Sequence, residues 1–366
     1  MKISFTNFPK EFKILKKELI SKFNKVGSRG HYVLGEELYN FEKNIQKFLK
    51  VKHVLGVGNW TEGTVMVLKA LGYNKNDEII TVSNSFIATC GAIAYAGLIP
   101  KLVDVGEDLN IDISKIKNKI TKKTRAIMPV HLSGIPSDLK NLKKICKKEK
   151  LDLIEDAAHA FGTKYKNHFI GTIGDVGIFS LHPRKSFHVL GDGGLIITNN
   201  TKLYKKLSLI RNHGLKNRDQ SIIWGTNSRL DNLQAGFGNV MLKKISFWNN
   251  KQLQIAKKYT KYLSKKIKKP IFNLKISNPT FHQYIIRTKS RDKLRKFLRK
   301  NKIDTAIHYP IPIHKQDAYR KKFKNTILPM TEKFSKEILS LPINPYMSSK
   351  EVNYVIKKVN LFFDSK

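Results

Sequence analysis

Lys185 is the residue in this chain best placed to do covalent chemistry. It follows Val176-Gly177-Ile178-Phe179-Ser180-Leu181, an apolar run closed by His182-Pro183-Arg184. Such a run reads as a buried strand stopped by a proline turn. Gly191-Asp192-Gly193-Gly194 makes a second turn, and Leu195-Ile196-Ile197-Thr198 a second apolar strand. The lysine is thus predicted in a loop held between two buried strands. A lysine drawn out of water loses proton affinity and becomes a usable amine nucleophile. On this segment alone, a solvated turn lysine is the plainer alternative.

Three further positions could act with it. Val54-Leu55-Gly56-Val57-Gly58 reads as a strand, Asn59-Trp60-Thr61-Glu62-Gly63 as a turn, and Thr64 to Leu71 as a helix. The free N–H groups and positive dipole of that helix start, with the Thr61 hydroxyl, make an anion site. The bland reading is that Thr61 caps the helix. Leu151-Asp152-Leu153-Ile154 ends in Glu155-Asp156, where a carboxylate is costly unless it meets a cation or donor. Asp156 therefore either caps a following helix or pairs with a protonated ring nitrogen. His159 would face the same side if that turn is helical; a buried core histidine is the common alternative. Phe86 opens a predicted helix from Phe86 to Ala96, where a flat ring would stack on it unless it packs in the core.

The elements that hold these residues alternate. Strands are predicted at 77–82, 101–105, 126–131, 151–154 and 283–287. Helices fall at 139–150, 292–301 and 350–363, and periodicity at Leu38, Phe41, Ile45 and Phe48 marks another near the N-terminus. This pattern argues an α/β chain with a mostly parallel sheet flanked by helices. Ligands in such sheets sit beyond the carboxyl ends of the strands, where Thr61, Asp156 and Lys185 all fall. A large domain over 1–250 and a smaller C-terminal α/β domain over 251–366 are expected, joined by a helix from about Leu230 to Tyr262 and on to about 265. Lys268-Lys269-Pro270 marks a break, and Thr305 to His314 reads as extended, stiffened by two prolines.

Composition limits the partners. The chain has 366 residues, 41% of them hydrophobic, enough for a sizeable core. No apolar run approaches a membrane span, and the first residues lack a signal-peptide pattern. Cys90 and Cys146 lie far apart with no metal spacing, so a reducing, cytoplasmic setting is expected, without metal. The formal charge of +41 favours anionic partners. However, the lysines sit at helical spacing as solvated faces and no nucleic-acid motif is present, so nucleic acid is not the expected partner.

Taken together, the pieces resemble the sugar aminotransferases of the DegT/DnrJ/EryC1/StrS family. The resemblance runs almost end to end. It includes the Tyr32-to-Gly35 loop, Gly58-Asn59-Trp60-Thr61-Glu62 and Ser83 to Thr89. It takes in Pro129-Val130-His131-Leu132-Ser133-Gly134, Glu155 to Ala160, Lys185 with Gly191-Asp192-Gly193-Gly194, and Asn227 to Ala235. His308-Tyr309-Pro310 and Ser340-Leu341-Pro342 complete it. It implies the type I aminotransferase fold and pyridoxal 5′-phosphate as cofactor. Lys185 would form the Schiff base, and Asp156 would keep the pyridine nitrogen protonated so that the ring is an electron sink. His159 would contact the ring hydroxyl and Phe86 would stack on the ring. Thr61, Glu62 through its backbone and Ser180 would bind the phosphate. Asn227 would reach the phosphate of a neighbouring subunit, with Arg229 near it, which implies a homodimer with shared sites. His308, Tyr309 and His314 would approach the sugar nucleotide.

Two residues depart from the family pattern: Trp60 stands where glycine is usual, and Ser186 where asparagine is common. The first predicts a shifted or crowded phosphate turn. The implied reaction moves an amino group from an amino acid, glutamate by expectation, to a nucleotide-linked keto-deoxysugar for polysaccharide or other glycan biosynthesis. Related sugar dehydratases carry histidine at the lysine position, so Lys185 argues for amino transfer. A dehydratase and a basic polyanion-binding regulator on the same scaffold remain the alternatives.

Overall fold

The structure, a computed structural model, describes residues 1–364. Among them the central sheet has seven strands: β1 His53–Val57, β2 Glu78–Val82, β3 Ile99–Val103, β4 Thr124–Ile127, β5 Asp152–Asp156, β6 Val176–Ser180 and β7 Gly194–Thr198. Their order across the sheet is β1-β7-β6-β5-β4-β2-β3. Every neighbouring pair is parallel except those made by β7, which runs against both β1 and β6. The carboxyl ends of the other six therefore share one side. Helices cover both faces, which is why Ile79, Ile80, Ile154, Ile178 and Leu195–Ile197 are all almost fully buried. A Cβ on Gly177 would collide with Gly171 O, so only glycine lets β6 pass beneath the 170–174 loop.

That loop is tied down by Glu155. Successive strand residues point to opposite faces, so Glu155 and Asp156 part company at the end of β5. The fully buried Glu155 carboxylate accepts from Gly171 N (2.8 Å), Ile173 N (2.7 Å) and Gly174 N (2.6 Å), and from His131 Nε2 (3.1 Å). Glu155→Ala would strand three backbone donors in the interior. It is expected to cost at least ~3 kcal/mol, read as a lowered urea midpoint at unchanged slope.

A second, smaller core lies toward the C-terminus. The strands Tyr284–Arg287 and Ile338–Leu341 pair antiparallel, packed by the helices Arg291–Lys300 and Ser349–Asp364. Ile3, from the opposite end of the chain, is built into this core, with Ile3 N donating to Lys302 O at 2.8 Å.

Four local expectations need correction. The predicted helix from Leu230 to Tyr262 is two, Asn232–Leu242 and Ile245–Tyr262, because the chain turns at Lys243-Lys244. The helix after β1 starts earlier, at Trp60, and its cap is Asn59, whose side chain accepts from Glu62 N at 2.9 Å; Thr61 is not the cap. The helix after β2 starts later, at Ala88, so Phe86 stands before it. No helix follows Asp156 directly: the chain turns there, and the next helix in sequence is Thr201–Ile210.

Candidate active site

Lys185 closes a turn after β6, its N–H donating to His182 O at 2.8 Å. The loop around it is fastened on every side. Leu181 N bonds Gly193 O (2.8 Å), Val189 N bonds Leu181 O (3.0 Å) and Leu190 N bonds Gln234 Oε1 (2.9 Å). Phe187 stacks on Phe161 with centroids 4.0 Å apart, and His188 Nε2 lies 2.8 Å from Glu11 Oε1. Burial pushes the Lys185 ammonium down to about 8, against the opposing pull of the Asp156 carboxylate.

At pH 7 the reactive neutral amine is then about one-tenth of the population, against well under one-thousandth for an ordinary lysine. Protonation blocks the nucleophile, so the second-order rate of coenzyme loading onto apoenzyme should rise with pH and level off above about 8. A stopped-flow pH series that kept rising to the ordinary lysine range would contradict the shift.

Asp156 ends β5 on the same side and is 3% exposed. Burial raises its pKa to about 6, offset by the Ala158 N–H and then by Lys185. Its donors are Ala158 N and Thr89 Oγ1, both at 3.2 Å. An ionised carboxylate has about four acceptor positions, so Asp156 has room for a further buried donor. A protonated pyridine nitrogen fits that demand.

Around the pair stand the imidazoles of His159, His282 and His308 and the rings of Phe86 and Tyr309. His159, 5% exposed, accepts from Ser133 N at its Nδ1 (3.3 Å), which leaves the ring proton on Nε2. Burial, with Lys185 beside it, holds its pKa well below the ordinary histidine value. His308 contacts Ser340 Oγ through Nδ1 at 2.8 Å, and burial takes its pKa down to about 4. Burial and the Asp156 charge keep the Tyr309 hydroxyl protonated. Phe86 is 56% exposed, so it is not core packing, and its centroid lies 5.9 Å from that of Tyr309.

The phosphate-cradle candidates lie beyond β1 and β6. Thr61 and Glu62 are exposed on the first turn of Trp60–Leu71, where N–H groups have no intrahelical acceptor; contrary to expectation the Glu62 N–H is not free, being held by the Asn59 cap. Trp60 does not stand in solvent at this turn: it is 7% exposed and belongs to the apolar cluster with Val57, Val65 and Ile178. Ser180 is half-buried, its Oγ accepting from His182 N at 3.3 Å. Ser228 clamps the turn, accepting from Gly58 N (3.2 Å) and donating to Glu62 Oε2 (2.6 Å). Next to it, Asn227 is exposed and Arg229 bonds Asn212 Oδ1 at 2.8 Å.

His314 is placed differently from expectation. It is 2% exposed, with Nδ1 2.7 Å from Ser83 Oγ and Nε2 3.1 Å from Glu332 Oε1. Both nitrogens are taken by protein groups, so it anchors the 308–314 segment and leaves none for a ligand. Sequence reasoning did not single out Thr89, Ser133 or His282 as site residues. Thr89 is the second residue of its helix, four after Ser85, whose hydroxyl it meets at 2.8 Å, a spacing that was readable; the other two depend on long-range packing.

A half-buried lysine of lowered basicity, a buried carboxylate with acceptor capacity to spare and an exposed helix start on one side of a type I α/β sheet define a pyridoxal-phosphate-dependent aminotransferase. The model of the DegT/DnrJ/EryC1/StrS aminotransferase family matches residues 13–360, and the chain belongs to that family. It is 36% identical over 351 residues to a dTDP-3-amino-3,6-dideoxy-alpha-D-galactopyranose transaminase of Aneurinibacillus thermoaerophilus, covering 94% of this chain and 95% of the relative. It is 34% identical over 368 residues to a Geobacillus stearothermophilus protein named pleiotropic regulatory protein, with 99% of each chain covered. The crystal structure of S. venezuelae DesV in complex with a ketimine intermediate matches with a TM-score of 0.96 at 32% identity, covering 99% of this chain and 98% of that one.

Proposed function

We propose that this chain moves the amino group of an amino acid, L-glutamate, to the keto carbon of a nucleotide-linked deoxysugar, for cell-surface polysaccharide or other glycan biosynthesis. The observation that carries the reading is a half-buried, weakly basic Lys185 following β6 and a buried Asp156 carboxylate at the end of the neighbouring strand β5, each within electrostatic reach of the other. A relative named as a dTDP-amino-sugar transaminase supports the substrate class. The coenzyme, when bound, supplies an aldehyde for the amine and a ring that absorbs the electron pair released at the donor's α-carbon.

The chain's residues do the rest. Lys185 would hold the coenzyme covalently at rest; once displaced by the donor amine, it would take the α-proton as base and, as acid, deliver it to the coenzyme carbon that had carried the aldehyde. Asp156 keeps the ring nitrogen protonated. His159, proton on Nε2, donates to the ring hydroxyl oxygen, and Phe86 covers one ring face. Thr61 and Ser180 hold the phosphate, with Asn227 reaching across from a second subunit; the Glu62 N–H joins them only by leaving the Asn59 cap. Arg229, His308 and Tyr309 line the approach of the sugar nucleotide. The fully exposed Trp224, three residues before Asn227, supports a homodimer that covers this loop. Cys90 and Cys146, both free and buried, support a cytoplasmic setting.

A panel of nucleotide-linked keto sugars with glutamate, followed by mass spectrometry, tests the reading: one amino sugar and one equivalent of 2-oxoglutarate are expected. Release of ammonia with a deoxygenated sugar would replace it with a dehydratase. The relative named as a regulatory protein keeps a second reading in view; steeply salt-dependent DNA binding without amine transfer would establish that one.

A further inference from the structure

His282 has been given no role so far, yet the fold takes trouble to place it. Its ring centroid is 4.6 Å from that of His159, at an interplanar angle of 48°. Phe281, just before it, is fully buried with φ at +49°, a left-handed backbone that a bulky residue rarely adopts. Gln283, just after it, accepts the Ser133 hydroxyl at 3.2 Å. Strain at one flank and a buried hydrogen bond at the other fix the direction in which His282 projects. Ser133 is the residue whose N–H orients His159, so one loop sets both rings.

The nitrogens of the His282 ring are unengaged. Among the described residues neither of its nitrogens has a hydrogen-bond partner, and neither is sealed from open space. Burial, with the Lys185 charge within reach, holds it neutral. A neutral imidazole offers one donor and one acceptor, the complement of a hydroxyl group. A carboxylate would call for a cation, so the donor amino acid's acid groups are a poor match.

We propose that His282 is a binding residue for a sugar hydroxyl of the nucleotide-linked acceptor. This rests on the sugar-aminotransferase reading above. The two half-reactions of the transfer can be measured separately, and they should respond differently. His282→Phe keeps the ring packing against His159 and removes both nitrogens. With thymidine-diphosphate 4-keto-6-deoxyglucose, or whichever keto sugar the panel shows the wild type to accept, kcat/KM of the acceptor half-reaction should fall about thirtyfold. The glutamate half-reaction should stay within about twofold. His282→Asn, which restores a donor and an acceptor, should recover most of the loss. By calorimetry, His282→Phe should weaken dTDP-glucose or UDP-glucose about tenfold and leave dTDP and UDP unchanged.

An equal fall in both half-reactions, or sugar-nucleotide affinity unchanged in a variant that still loads coenzyme, would overturn the assignment. Should His282→Phe fail to load coenzyme, the same comparison on His282→Asn and His282→Ala decides it. Failure of the wild type to transfer an amine to any keto sugar would instead defeat the underlying function, a result the variants cannot mimic.

Discussion

Lys185→Ala is expected to abolish amine transfer, by ~10⁴-fold or more, and to remove the near-visible absorbance of lysine-linked coenzyme. Two losses combine. The covalent tether that holds the coenzyme at rest disappears, and so does the group that shuttles the α-proton. Neither His159 nor His308 can substitute. His159 and His308 are held neutral by burial, but His159 Nδ1 is committed to Ser133 N and His308 Nδ1 to Ser340. The fold should survive, because the backbone of the 181–190 loop is fixed by bonds that do not involve the lysine side chain. Added methylamine would restore part of the proton transfer if the lysine is the base. Retention of both the absorbance and the transfer would refute its role.

Asp156→Asn carries the second-largest expected effect, a fall of ~10²–10⁴-fold in the glutamate half-reaction with coenzyme still attached to Lys185. The size follows from removing the anion opposite a buried ring cation, which costs ~3–5 kcal/mol, and each 1.36 kcal/mol is a factor of ten. Asparagine keeps the shape: its Oδ1 can accept from Ala158 N and its amide N–H can donate to the Thr89 hydroxyl, so the protein should fold. The bound coenzyme's spectrum should shift, because its ring nitrogen would lose its proton. A variant within tenfold of wild type in single-turnover kinetics would mean that Asp156 does not face the ring.

Much of this site was legible because its residues sit where a pattern stops. Asp156 ends an apolar run, Lys185 follows a proline turn after another, and Thr61 opens a helix after a third. A buried strand announces itself by continuous apolar residues, and whatever polar group follows must be facing something. The break at Lys243-Lys244 was not legible, since helical periodicity carries on across it with lysines on the outer face. The family resemblance implied that His314 approaches the sugar nucleotide, and its extended, proline-flanked segment did not speak against it. Its contacts with Ser83 and Glu332 come from elements 231 and 18 residues away in sequence, which no local window contains. His282 was hidden for the same reason: the left-handed turn at Phe281 and the tie from Gln283 to Ser133 exist only once the two cores meet.

The direction of β7 has a mechanical meaning. Because β7 runs against β6, the lysine's loop returns directly to the neighbouring strand, and both of its ends are stitched into the middle of the sheet. A segment pinned in this way cannot serve as a door. Room for a bulky nucleotide sugar to enter and leave has to come from the opposite jamb, the 281–283 and 308–309 stretches carried by the smaller core. Crosslinking that core to the sheet should therefore slow turnover of the large substrate far more than that of glutamate.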